Sequence, residues 1–251
     1  MAKTVVFANQ KGGVGKTTTA VNLGAYLAEA GKKVLLVDFD PQSNTTSSVG
    51  ANKQSPGVYE VLTGKVEASA AIQACSIPGL FIMPSSIHLT GATVELVDQS
   101  EREFFLRKVL ERLQDQFDYI FIDSPPSLGI LTLNGLVAAN YVIIPLQCEY
   151  FALEGLSLLL QTIDQVQKGL NPKLKIGGIL FTMYDTRTRL AHEVVQEVTG
   201  YFKEKVFRTI IPRNVRLSEA PSFAKTISQY DPECIGAKSY QKLAQEVLLN
   251  V

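Results

Sequence analysis

The stretch "NQKGGVGKTTT" (residues 9–19) decides the fold, because it lies between a strand-forming run and a helix-forming run. The preceding residues, "TVVFA" (4–8), are β-branched and aromatic, which predicts a buried strand. The following "TTTAVNLGAYLAEAG" (17–31) has apolar spacings of three and four, which predicts a helix ending at Gly31. A glycine-rich turn in this position aims backbone N–H groups and a helix dipole at one point. The stretch therefore predicts a phosphate-binding loop (P-loop).

The loop departs from the general pattern G-x-x-x-x-G-K-[ST], which requires a glycine where this chain has Gln10. An additional lysine, Lys11, follows it. A flexible glycine turn with solvated lysines is the alternative interpretation. The strand before, the helix after and the Gly-Lys-Thr ending favour a nucleotide site, in which Lys16 neutralises phosphates and Thr17 holds Mg²⁺.

Composition restricts the classes of function that remain. The chain has 251 residues, no net charge and 46% hydrophobic residues, as expected of a packed globular protein. Cys75, Cys148 and Cys234 are too far apart in sequence for a zinc or disulfide framework, and they suit a reducing cytoplasm. No apolar run is long enough to span a bilayer, and a membrane surface is not expected as a partner because the last helix lacks the basic amphipathic character that this requires.

The order of elements predicts an α/β fold with a mostly parallel, twisted sheet and helices on both faces. No repeat or linker divides the chain, and we expect one unit over residues 1–251. The predicted strands are 4–8, 33–38, 80–84, 118–123, 141–146 and 174–184, and the predicted helices are 17–31, 101–117, 153–168, 190–205 and 236–249.

Carboxylates follow two further predicted strands, in "VDFDPQ" (37–42) and "DYIFIDSPPS" (118–127). Ligands of such sheets bind at the carboxyl ends of the strands, where the P-loop also lies. Asp38 and Asp40 could hold Mg²⁺ and orient a water molecule, and Asp123 has the setting of a Walker-B aspartate. Polar turns capped by aspartates are the alternative, which the neighbouring P-loop makes less favourable.

These motifs together resemble the ParA/Soj family of partition ATPases, in the wider class that includes MinD and the nitrogenase iron protein. The resemblance runs over nearly the whole chain, with further matches at "TMYDTRTRL" and "IIPRNVRLSEAPS". Residues 11–17 fit the family's deviant Walker A, K-G-G-x-G-K-[ST], in which the missing glycine is normal. The resemblance implies a P-loop NTPase fold and hydrolysis of ATP with Mg²⁺.

The resemblance also implies residue roles. Lys11 would reach a phosphate in the partner subunit of an ATP-bound homodimer, and Asp40 would position the attacking water. Phosphates would be held by Lys11, Gly12, Gly13, Val14, Gly15, Lys16, Thr17 and Thr18. Thr17, Asp38 and Asp123 would organise Mg²⁺, and Pro212 and Asn214 would line the adenine pocket.

Relatives of this short type bind double-stranded DNA without sequence preference and respond to a ParB/Spo0J-type partner, which implies a cytoplasmic, nucleoid-associated protein. Residues 185–225 contain eight Lys/Arg and five Asp/Glu, a local basic patch. Arg187 and Arg216 match phosphate-contacting positions, and Arg189 could join them. Ordinary arginines on a solvated helix are the alternative.

Four rival functions remain, and one of them is another ParA-like ATPase that positions a different cargo. A MinD-like membrane ATPase needs a basic amphipathic helix, but the last apolar stripe, from Tyr240 to Leu248, reads better as a packed face. An iron–sulfur reductase needs cysteines that this chain lacks at the required positions. A nucleotide-gated adaptor without turnover is disfavoured by the presence of Lys11 and Asp40.

Overall fold

A seven-stranded sheet forms the centre of the computed structural model, which describes residues 1–95, 98–149 and 152–250. The strands are β1 (Lys3–Phe7), β2 (Val34–Asp38), β3 (Gln73–Ala74), β4 (Leu80–Met83), β5 (Tyr119–Asp123), β6 (Tyr141–Gln147) and β7 (Lys175–Thr182). Their order is β3-β4-β2-β5-β1-β6-β7, and every neighbouring pair is parallel except β3–β4. The predicted mostly parallel sheet is confirmed; the two-residue edge strand β3 was not predicted.

Helices connect the strands and cover both faces of the sheet. The long ones are α1 (Lys16–Glu29), α6 (Ile130–Ala138), α7 (Ala152–Gly169), α8 (Arg189–Phe202) and α11 (Ile235–Asn250). The short ones are α2 (Asn44–Ser48), α3 (Val58–Leu62), α4 (Leu89–Glu95), α5 (Phe105–Glu111), α9 (Val215–Glu219) and α10 (Ile227–Tyr230). Single 3₁₀ turns occur at Ala68–Ala71, Arg102–Phe104, Lys203–Lys205 and Ala220–Phe223.

Two apolar cores lie on opposite faces of the sheet. One is formed with α1 and α9–α11, and the other with α3–α8. Strands β2 and β5 are buried along their whole length, which explains their continuous apolar sequence. Helix α11 packs on α1 through Tyr240, Leu243, Ala244 and Val247, each 4% exposed or less. The packed-face interpretation of this stripe is therefore confirmed.

Helix α1 ends as the sequence predicts. Gly31 has a positive φ of 85°, its N–H donates to Ala28 O (2.9 Å), and the Lys32 N–H donates to Leu27 O (3.1 Å). This pair of hydrogen bonds is a Schellman motif, for which glycine is favoured because it adopts the left-handed conformation without a Cβ penalty. The motif turns the chain into β2.

The prediction of one helix over 101–117 is wrong. A 3₁₀ turn precedes α5, and α5 itself ends at Glu111. The chain then bends because the Gln114 carbonyl accepts the N–H of Ala2 (2.7 Å) and the Gln114 side chain donates to Thr4 Oγ1 (3.0 Å). These contacts with the chain around β1 replace a further helical turn and lead the chain into β5.

Candidate nucleotide site

The glycine-rich loop joins β1 to α1, and side chains fix its shape from two directions. Asn9 Nδ2 donates to a backbone carbonyl of β6 (2.7 Å), and Thr182 Oγ1, at the end of β7, donates to the Val14 carbonyl (2.8 Å). Gly13 and Gly15 have positive φ values of 72° and 85°, a conformation that glycine adopts without strain. The turn that also contains Gly12 is thus held open toward the carboxyl edge of the sheet.

The two lysines of the loop point in different directions. Lys16 is only 6% exposed, and its Nζ donates to the carbonyls of Asn9 (3.2 Å) and Lys11 (3.1 Å). Burial lowers the pKa of Lys16, and the carboxylates of Asp123 and Asp40 oppose that shift. Lys11 instead lies at the surface, with its side chain 44% exposed and paired with Glu149. Only Lys16 is placed inside the loop.

Asp38 and Asp123 lie side by side, because β2 and β5 pair in register at these two residues. Thr17 Oγ1 and Thr45 Oγ1 both donate to Asp123 Oδ2, at 2.7 and 2.6 Å. Thr46 donates to Asp38 Oδ2 through both its N–H (2.8 Å) and its hydroxyl (2.6 Å). The strand register brings the two aspartates together, and the threonines of α1 and α2 orient them.

The environment of these carboxylates fits a divalent cation. Burial, together with the neighbouring Asp123 carboxylate, raises the pKa of Asp38 to about 7. Burial also raises the pKa of Asp123 to about 6, and Asp123 Oδ1 is buried without a hydrogen-bond partner among the described residues. Among the described residues, no group of three or more His, Cys, Asp or Glu side chains is arranged to hold a metal alone. Mg²⁺ would therefore take its remaining ligands from water and phosphate oxygens.

Asp40 lies in the turn that follows β2 and is 6% exposed. Its Oδ1 accepts the N–H of Gln42 (2.9 Å), and its own N–H donates to Asp38 Oδ1 (3.3 Å). Its Oδ2 accepts no hydrogen bond from the part of the chain that the structure describes. One carboxylate oxygen thus fixes the side chain while the other is available to a water molecule.

A cavity of about 400 Å³ continues from the loop. It brings five predicted residues together: Gly15 from the loop, Thr17 and Thr18 from α1, and Pro212 and Asn214 from the segment before α9. The rest of its lining includes Met183, Leu217 and Tyr240, which give it apolar walls. Its position beside the phosphate loop suits an adenine base.

Comparison with known proteins agrees with this geometry. A family model described as an AAA domain matches residues 2–176. The chromosome-partitioning ATPase Soj of Treponema pallidum is 63% identical, with 99% of this chain and 98% of that protein covered. The sporulation initiation inhibitor protein Soj of Bacillus subtilis is 53% identical, with 100% of both covered. The chain belongs to the Soj/ParA family of partition ATPases.

A solved structure supports the same fold at atomic detail. It is named cobyrinic acid a,c-diamide synthase of Mycobacterium smegmatis and holds ADP and magnesium. It is 41% identical, covers 99% of this chain and 94% of its own, and superposes with a TM-score of 0.86. The predicted fold class is therefore confirmed.

The three arginines expected to contact DNA in this Soj/ParA chain lie on the surface, and each pairs with a carboxylate. Arg187 pairs with Asp185 (2.7 Å), and Arg189 pairs with Glu193 (2.7 Å). Arg216 pairs with Glu219 (2.9 Å) and Asp231 (3.4 Å). The Arg187 guanidinium lowers the pKa of Asp185. Exposed pairs of this kind contribute little stability, so phosphates could replace the carboxylates at small cost.

Several residues of the site could not be predicted from the sequence. Thr45 and Thr46 carried a weak signal, a run of small hydroxyl residues after "DFDPQ". Glu149 and Tyr240 carried no signal, because each contacts a residue that is distant in sequence. Glu149 pairs with Lys11, 138 residues before it, and Tyr240 contacts Thr19, 221 residues before it.

In the described part of the chain, no helix has the length and apolar character needed to cross a bilayer.

Proposed function

We propose that this chain is an ATP-dependent partition ATPase that dimerises on ATP, binds double-stranded DNA without sequence preference and leaves it after hydrolysis. A ParB/Spo0J-type partner would stimulate that hydrolysis, and the protein would act in the cytoplasm on the nucleoid. Partition is better supported than synthase activity, because the partition name belongs to a relative that is 63% identical and the synthase name to one that is 41% identical. We also propose that residues 1–251 work as one unit.

The position of Lys11 is the observation that best supports an ATP-dependent dimer. Lys11 does not line the nucleotide cavity of its own chain, and its half-exposed ammonium points to the surface beside Glu149. A cation at the surface supports a role in trans, in which Lys11 would meet a phosphate held by a second copy. Cations supplied in trans accelerate GTP hydrolysis by about 10³–10⁵. Dependence of turnover on dimerisation follows directly.

The remaining roles follow from what each side chain already contacts. Lys16 would exchange its two loop carbonyls for phosphate oxygens, and Thr17 would turn its hydroxyl from Asp123 toward the cation. Mg²⁺, when bound with the nucleotide, would neutralise charge on the transferred phosphate. Asp40 would hold the attacking water through its unbonded Oδ2, since its Oδ1 is fixed by Gln42.

Dimerisation also gives a physical reason for ATP to control DNA affinity. The proposed DNA surface of each chain has three exposed arginines, too few for firm retention alone. Affinity for DNA rises steeply with the number of phosphates neutralised, and a dimer doubles that number. Hydrolysis that separates the dimer would therefore release DNA.

Mixing two inactive variants tests the proposal. Lys11→Ala lacks the trans cation, and Asp40→Ala lacks the water-positioning carboxylate. If Lys11 acts in trans, a mixed dimer has one complete site, and an equal mixture should regain about one quarter of normal ATP turnover in a two-fold symmetric dimer. The variants are mixed before ATP is added, and each is also assayed alone. A mixture no more active than its parts would contradict the proposal.

A further inference from the structure

A second large cavity lies between α8, α11 and the edge strand β7. It has a volume of about 1240 Å³ and shares no lining residue with the nucleotide cavity. We call it the β7 groove, and define it by Ile176, Gly177, Phe181, Val195, Thr199, residues 203–208, Ile210, Lys242, Gln245, Glu246 and Leu249. Nothing in the proposed ATPase cycle uses it.

The floor of the β7 groove is apolar. Phe181 and Phe207 are 1% and 6% exposed, and Val195 and Ile210 are half-buried beside them. Leu249 lies at the edge of the groove and is 85% exposed. An apolar floor with an exposed leucine is the kind of surface that gains stability when a partner covers it.

The rim of the groove is basic. Lys203, Lys205, Arg208 and Lys242 are exposed and line it. Within the described chain, none of these four side chains forms an ion pair or a hydrogen bond. This distinguishes them from the three arginines expected to contact DNA, each of which already has a carboxylate partner.

The acidic groups of the groove do not balance this charge. Glu204 and Glu246 are the carboxylates among its lining residues. Glu246 accepts the backbone N–H groups of Arg208 (2.7 Å) and Thr209 (3.0 Å), so it fixes the loop before α9. Four cations therefore face two carboxylates, of which one is committed to the backbone.

These features favour a protein segment over DNA. Duplex DNA binds basic surfaces through phosphate and sugar contacts and has no use for a concave apolar floor. An amphipathic segment uses both parts, because its apolar side chains fill the floor and its carboxylates meet the rim. We propose that the β7 groove is a docking site for an acidic, amphipathic segment of a partner protein.

A direct binding assay on the full-length chain tests this. The probe is a fluorescein-labelled peptide in which leucine and phenylalanine recur among glutamates, followed by fluorescence anisotropy. The double substitution Lys203→Glu and Lys205→Glu should weaken binding by about tenfold or more, because it reverses half of the rim. The matched control, Lys32→Glu with Lys33→Glu, makes the same charge change at the start of β2 and should bind normally.

Other probes define the results that would overturn the docking site. A polyglutamate peptide that binds as tightly as the amphipathic one would show that the apolar floor contributes nothing. Loss of duplex DNA binding in the Lys203→Glu/Lys205→Glu variant, without any peptide binding to the unaltered protein, would make the groove a DNA surface. Equal peptide binding by both double variants would place the site elsewhere. ATP turnover should be unchanged throughout, which separates this proposal from the ATPase function.

Discussion

Lys11 and Glu149 form an ion pair between the P-loop and the residues that follow β6. Both side chains are about half exposed, at 44% and 46%. The lysine is thus tied to its own chain by an interaction that it must give up to reach a second copy. Surface pairs of this type are worth about 0.2–1 kcal/mol, so the ion pair restrains Lys11 without locking it.

Replacement of Glu149 by Gln should therefore favour the dimer. Each dimer gives up two such pairs, about 0.4–2 kcal/mol in total, so the substitution should lower the concentration for ATP-dependent dimerisation by about 2- to 30-fold. Light scattering across a concentration series, with basal ATP turnover measured in parallel, checks this. Asp164→Asn, which breaks the exposed Lys168–Asp164 pair on α7, is the matched control and should change neither quantity. Weaker dimerisation in Glu149→Gln would mean that Glu149 supports the dimer instead.

Replacement of Asp40 by Ala should separate binding from hydrolysis. Lys16, Thr17 and the cavity remain, so ATP should still bind and drive dimerisation. Loss of a positioned carboxylate should reduce turnover by about 10²–10⁴, because general-base groups contribute that much. The dimer should then persist on a sizing column long after the unaltered protein has returned to monomer. A variant that stays monomeric with ATP would count against the role assigned to Asp40.

The Thr45 hydroxyl should stabilise the folded protein as well as orient Asp123 in the site. Thr45→Val keeps the shape but leaves buried Asp123 with one hydrogen-bond donor fewer, which should cost about 1–3 kcal/mol of unfolding free energy. Urea unfolding without nucleotide measures it. Thr162→Val removes a half-buried hydroxyl that donates to Leu158 O on α7, and it should change stability by under about 0.5 kcal/mol. Similar losses of unfolding free energy in both variants would show that the hydrogen bond from Thr45 to Asp123 stabilises the fold no more than an ordinary surface hydrogen bond.

Arg216 provides the test of the DNA surface. Arg216→Glu should lose DNA retention while ATP-driven dimerisation remains, and the salt slope of binding should fall by about 0.9 for each phosphate that is no longer neutralised. Fluorescence anisotropy with a labelled duplex at several salt concentrations measures both. Arg107→Glu, which reverses an arginine on α5 that pairs with Glu111, is the control. Unchanged DNA binding by Arg216→Glu would move the DNA surface away from α9.

The parts of the site that could be predicted are those marked by a local sequence pattern. The glycine loop, Asp38 and Asp123 each stand directly after a short apolar strand or at its end, and a parallel sheet brings all such positions to one edge. Glu149 and Tyr240 reach the site through packing between distant elements. Nothing near them in sequence distinguishes them from ordinary surface or core residues.

Helix α6 was not predicted because its sequence also lacks a distinguishing local pattern. It is apolar almost all round and has no polar face, because it is buried under the sheet. Its Gly135 lies close to Val6, and an added Cβ would be 3.1 Å from Val6 Cγ2. The periodicity that identifies exposed helices is therefore absent from "ILTLNGLVA".

Gly178 tests how tightly β7 is packed against the segment that follows α8. An added Cβ would lie 2.3 Å from Phe207 Cε2, and that ring is buried, so Gly178→Ala forces the ring to move. Overpacking of this kind should lower the free energy of unfolding by about 1–3 kcal/mol. Gly200→Ala, on the exposed side of α8 with no atom within 4 Å of the new methyl group, should instead raise it by about 0.5–1 kcal/mol. Urea unfolding should move the two variants in opposite directions, and a Gly178→Ala protein as stable as the parent would mean that Phe207 has room to rotate.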